Sequence, residues 1–299
     1  MGNVKRHVLF LVVVFFFTGC LSNKTLEDIQ GEGMALPEKF YCTREFTTWE
    51  SVIILPVEIE GKKKNFLFDT GASLTVLNRE EPQGRKIKVT GADNRKGEAY
   101  MERGVSLNLG EVEFKDFTAL NLPMEDFESH VPDLGGLIGQ SVINKANWLI
   151  DYPHQKITFS SDSLIDESFE KIEIQEIRST FYLPLTIAGN EYMAKIDLGS
   201  NEALTVPADS ELAKIIRDKY DFEETDDWNL SINGLGRALK STGQVDLTMG
   251  GFEFDSVNTV IKESGKLRVG NKFFQNYIIY LDMMNSAFYI KKYHALELE

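Results

Sequence analysis

Along much of this chain, apolar and polar residues alternate with a period of two. "SVIILPVEIEG", from Ser51, and "FYLPLTIAGNEYMAKID", from Phe181, set β-branched and aromatic residues against polar ones, the pattern of half-buried strands. Gly61 and Gly189 mark hairpin turns within these runs. "NWLIDYPHQKITF" and "NYIIYLDMMNSAFYI" read as strand–turn–strand. Helix signals are few. "GQSVIN" and "GNKFFQN" each open a short helix after glycine, and "PADSELAKIIRDKY" predicts a longer one. There Asp209 or Ser210 caps a face carrying Leu212, Ile215 and Ile216. The acidic run "DFEETDDW" that follows reads as a solvated loop.

The pattern occurs twice. "LPVEIEGKKKNFLFDTGAS" and "LPLTIAGNEYMAKIDLGSN" match in their Leu-Pro, in Gly61 and Gly189, and in Asp69 and Asp197, all 128 positions apart. "VSLNLGEVEF" and "VDLTMGGFEF" form a second pair. A third sets Gly139 and Gly270 each twelve residues before an aspartate, Asp151 and Asp282. Three collinear blocks imply two homologous halves. The second half is the longer. Asp197 and Gly234 lie 37 residues apart, against 22 between Asp69 and Gly91, which makes room for the predicted helix.

The first residues stand outside this pattern. Lys5 and Arg6 precede an apolar run from Val8 to Phe17, which is short for a membrane span and suits a secretory signal. The run ends in Phe17-Thr18-Gly19-Cys20, which resembles a bacterial lipobox. Residues 1–19 are therefore expected to be a signal peptide and Cys20 the lipidated residue. With Cys20 modified, only Cys42 remains, so no internal disulfide can form. Losing Lys5 and Arg6 takes the formal charge from −14 to −16. A chain this acidic is not expected to bind nucleic acid or an anionic membrane through charge, so membrane association falls to the lipid. The expected site is a bacterial cell envelope.

"FLFDTGASLTVL" places Asp69 between two apolar runs, where a carboxylate is costly to bury unless it is hydrogen-bonded or shares a proton. Together with the later Leu137-Ile138-Gly139, this stretch resembles the aspartic peptidases. The resemblance covers about residues 50–160 and 180–293. It implies a mostly β fold of two homologous retropepsin-like (acid protease) β-barrel lobes, fused as in pepsin with the active site between them. The expected organisation is a tether at 20–45, an N-terminal lobe at 46–165, a linker at 166–180, a C-terminal lobe at 181–293 and a tail at 294–299. Asp69 and Asp197 would form a catalytic pair within one chain, with no need to dimerise. Two carboxylates about 3 Å apart share one proton, so one serves as general base and the other as general acid.

Gly71 and Gly199 allow the two turns to approach closely. The family places Thr or Ser after each aspartate, its hydroxyl reaching the opposite turn. Thr70 fits this pattern and Leu198 departs from it. Ser200 supplies a hydroxyl three residues after Asp197, where Ala72 supplies none after Asp69. The implied substrate is an extended peptide or protein segment. The alternative is a catalytically degenerate lobe retained for peptide binding or scaffolding.

The candidate flaps are "VTGADNRKGEAY", with Gly91, Asp93, Asn94 and Gly97 near its tip, and "INGLGRALKSTG". Asp151 and Asp282 lie next to turn residues and read as structural. The four histidines, His7, His130, His154 and His294, lack paired-ligand spacing. Ser141 lacks the closing glycine of a nucleophile elbow. No metal or cofactor is expected.

Overall fold

The computed structural model describes residues 24–91, 95–177, 179–231, 234–263 and 266–293, and the backbone of 8–10. Cys20 and the tail lie outside the described residues. The protein is mostly β, built as two barrel-like lobes, each on its own large sheet. In the N-terminal lobe, Lys62–Phe68 runs parallel to Leu134–Ile138, which lies antiparallel to Thr75–Asn78. In the C-terminal lobe, Asn190–Ile196 runs parallel to Arg268–Val269, which lies antiparallel to Leu204–Pro207. The same three-strand arrangement thus occurs in both. A long hairpin closes each sheet. In the N-terminal lobe it is Lys96–Leu109 paired with Val112–Leu122, and in the other Gly234–Met249 paired with Phe252–Lys262.

A third sheet joins the lobes. Asn147–Asp151 pairs antiparallel with Tyr277–Asp282, so strands from both halves lie side by side. Trp148, fully buried, packs against Phe68, Phe114 and Phe159, anchoring this sheet to the first lobe. One continuous apolar core runs through both lobes. A second cluster, with Leu67, Val76, Leu120 and Leu137, belongs to the N-terminal lobe alone.

The short helices occupy Gln140–Ile143 and Asn271–Phe274. The longer helix spans Glu211–Lys219, with Ser210 as its N-cap accepting from the Ala213 N–H. Asp151 and Asp282 accept hydrogen bonds within their own turns, from His154 and Asn285 respectively.

Three segments differ from expectation. The described part of the tether, residues 24–45, is integrated into the fold. Leu26–Gln30 is a helix with Ile29 fully buried, Met34–Leu36 joins the first sheet, and Tyr41–Glu45 joins the interlobe sheet. Its few apolar residues, spaced for packing rather than for alternation, become visible only beside their partners. The linker contributes strands Glu170–Ile172 and Gln175–Ile177. The acidic run is no loop, for Phe222–Ser231 is a strand of a hairpin with Gly234–Met249.

Candidate active site

Each aspartate sits where its strand leaves the sheet. The Asp69 N–H donates to Ile138 O at 3.0 Å, and the Asp197 N–H donates to Val269 O at 2.8 Å. Each following turn is held by a carboxamide from the short helix opposite. Gln140 Nε2 donates to Thr70 O at 2.8 Å, and Asn271 Nδ2 donates to Leu198 O and Ser200 O. The sequence reading missed Gln140 and Asn271. Their position, one residue after the matched Gly139 and Gly270, is the signal that marks them.

The two turns touch. A Cβ on Gly199 would lie 2.3 Å from Asp69 Cγ, so only glycine permits this approach. Thr70 Oγ1 donates to Ile196 O at 3.0 Å and accepts from the Leu198 N–H at 2.9 Å, tying the first turn to the second. Leu198 cannot reciprocate and is buried in the common core. The return contact comes instead from Lys195, whose Nζ donates to Gly71 O at 2.9 Å.

The carboxylates have unlike surroundings. Asp69 Oδ1 accepts from Gly71 N–H at 2.7 Å and Ala72 N–H at 3.1 Å. Burial, and after it the charge of Asp197, push the Asp69 carboxyl up to about 8, against the opposing pull of Lys195 and the two N–H donors. The pair therefore holds a proton at neutral pH. Asp197, fully buried, receives Arg268 Nη1 on Oδ2 at 3.2 Å, while Oδ1 has no hydrogen bond among the described residues. Ser200 Oγ accepts from the Glu202 N–H at 3.4 Å. Lys195 is 4% exposed, and burial lowers its pKa against the pull of Asp197 and Asp69. Lys195 and Arg268 also escaped the sequence reading. They stand where the first half has Leu67 and Leu137, a substitution legible once the halves are aligned.

Both candidate flaps are hairpin ends, and the structure brings them together. Arg85–Thr90 pairs with the start of Lys96–Leu109, and Asp93 and Asn94 lie outside the described residues. At the other tip, a Cβ on Gly236 would lie 3.3 Å from the Arg95 guanidinium.

The chain and its fold have parallels among known proteins. Residues 55–142 match the family model described as "Aspartyl protease". The fold resembles that of basic 7S globulin from soybean, with a TM-score of 0.51 and 7% identity, covering 87% of this chain and 95% of that one. At that identity the likeness speaks for the fold alone. No curated protein matches the sequence. The match to the protease model includes Asp69, its turn and the Leu137-Ile138-Gly139 strand, and supports a function of aspartic-peptidase type.

Proposed function

We propose that this chain is an aspartic endopeptidase-like protein that hydrolyses peptide bonds with water activated between Asp69 and Asp197. The observation that carries this reading is the contact between the turns, with Gly199 against the Asp69 carboxyl and Thr70 bonded to both Ile196 and Leu198. Asp197, ion-paired with Arg268, is the base and takes a proton from water as the oxygen attacks the carbonyl carbon. Asp69 is the acid and gives its proton to the carbonyl oxygen. Collapse of the resulting tetrahedral diol breaks the C–N bond, the leaving nitrogen takes the proton that Asp197 had accepted, and a diol hydroxyl returns one to Asp69 as the carboxyl product forms. The substrate lies extended between the lobes, and the hairpins meeting at Arg95 and Gly236 part to admit it.

The test is digestion of a mixed peptide library between about pH 3 and pH 9, read by mass spectrometry. Asp69→Asn and Asp197→Asn are each expected to lower kcat/KM by about a thousandfold. Because the acid must carry its proton, activity should fall as pH rises past about 8. Cleavage unaffected by either variant would refute the mechanism.

Two observations favour a second reading, a peptide-binding protein without catalysis. Arg268 already occupies one oxygen of Asp197, and Leu198 supplies no hydroxyl. A folded chain that binds peptides and cuts none at any pH would decide for it. In either case we propose a monomer anchored at a bacterial envelope through Cys20. Incorporation of labelled palmitate, lost in Cys20→Ser, tests the anchor.

A further inference from the structure

The two lobes bury opposite chemistry on the same face of the same sheet. Five side chains stand in register across the N-terminal sheet, namely Leu67, Leu137, Val76, Leu120 and Met101. All five belong to the lobe's own apolar cluster. The equivalent row of the C-terminal lobe is Lys195, Arg268, Thr205, Val260 and Thr242. Two residues beyond Leu120 comes Leu122, and two beyond Val260 comes Lys262. Leu74 and Glu202 correspond as well, because their carbonyls press on the matching glycines Gly139 and Gly270.

This charged layer lies on the catalytic face. Lys195 Nζ reaches the turn of Asp69 at Gly71 O, and Arg268 bridges directly to the Asp197 carboxylate. Lys195, Lys262 and Arg268 are 4%, 1% and 3% exposed, Lys240 stands opposite Lys262 in the register, and the buried carboxyls near these four cations are Asp197, Glu202 and the protonated Asp69. Among the described residues Lys262 Nζ makes no hydrogen bond, and Glu202 Oε1 stands 3.8 Å away, near enough to attract and too far to bond. Thr205 Oγ1 is also without a partner among the described residues. Burial lowers the Lys262 pKa to about 8, with Glu202 opposing. The N-terminal lobe shows that the fold closes this layer with leucines. Buried ion pairs seldom stabilise more than well-packed apolar side chains would. The charges therefore need a reason other than folding.

We propose that the charged layer of the C-terminal lobe is a specificity pocket for a carboxylate of the peptide substrate, with Lys262 and Thr205 as its ligands and Arg268 and Lys195 linking it to the catalytic aspartates. An arriving carboxylate would supply the hydrogen-bond acceptor that Lys262 lacks and balance the excess of buried positive charge. This inference rests on the peptide-binding reading of the cleft.

The test uses the full-length chain and two matched peptide pairs. One pair differs by Glu against Gln beside the cleaved bond, and the other by a free against an amidated C-terminus close to it. Expected is a kcat/KM at least tenfold higher for one acidic member over its neutral match, the responding pair telling a side-chain carboxylate from a terminal one. In Lys262→Met that ratio should fall towards one, and in Lys262→Arg it should recover. Thermal unfolding of each variant establishes that it is folded. Equal rates within both pairs, with cleavage intact, would overturn the pocket and leave the peptidase reading standing. If nothing is cut, fluorescence anisotropy with the same peptides decides. Tighter binding of an acidic member retains the pocket without catalysis, and equal binding refutes it.

Discussion

Thr70 is the residue on which the two halves most directly depend. Its hydroxyl satisfies Ile196 O and the Leu198 N–H, both buried, so Thr70→Val leaves two backbone groups unpaired while conserving volume. A loss of about 1–3 kcal/mol in unfolding free energy is expected from denaturant titration. A change below the error of that titration would mean the bridge contributes nothing. Gly199→Ala puts a methyl group where the Asp69 carboxyl lies, so the turns must separate. A shift near 1 Å predicts about a hundredfold loss of kcat/KM, and an unchanged rate would contradict the contact. Asp69 also makes stability depend on pH. Its carboxyl titrates near 8 when folded against 3.8 when free, so between those values the folded state holds a proton that the unfolded chain lacks. Stability should then fall as pH rises through this window, and Asp69→Asn should flatten the slope. Unfolding midpoints at pH 4.5 and pH 8 measure it, and identical slopes would exclude a raised Asp69. At this scale Asp69, Thr70 and Gly199 were legible, since their chemistry sits in a contiguous motif. The burial of Lys195 and Arg268 was not, because a lone cation in a strand reads as solvated until its neighbours bury it, even where the aligned halves show a leucine at the matching position.

Among the elements, the two hairpins have the largest functional consequence. Near their tips they approach one another, Arg95 of the first packing against Gly236 of the second. Cysteines at both positions joined by a short bis-maleimide should abolish peptide cleavage, each single-cysteine variant serving as control. Cleavage persisting after complete cross-linking would show that substrate enters elsewhere. The second hairpin also explains a misread element. Glu223, Glu224, Thr225 and Asp226 are polar and all exposed, so the first half of the strand carries no alternation of apolar and polar residues to betray it. It is a strand because Gly234–Met249 supplies its hydrogen bonds. The helix Glu211–Lys219 was the opposite case. Its cap and its apolar stripe are local, and the sequence displayed both.

Across the whole molecule, the lobes are joined by more than a linker. Asn147–Asp151 pairs with Tyr277–Asp282, and the main core is continuous through both halves. A fragment of residues 24–165 would expose the edge of Asn147–Asp151 and the core beneath it. It is expected to elute as a dimer or larger species in size-exclusion chromatography, and a stable monomer would show the lobes to be independent. The sequence by itself determined the β class, the two-fold pattern, the aspartates and their turns, because alternation, glycine placement and short motifs are encoded locally. Only the tertiary structure decided that residues 24–45 belong to the fold and that both hairpin tips meet. It also decided that the second lobe buries lysines and arginine where the first buries leucines. Those outcomes depend on which residues distant strands place side by side, and a charge shows its cost only once its surroundings have excluded water.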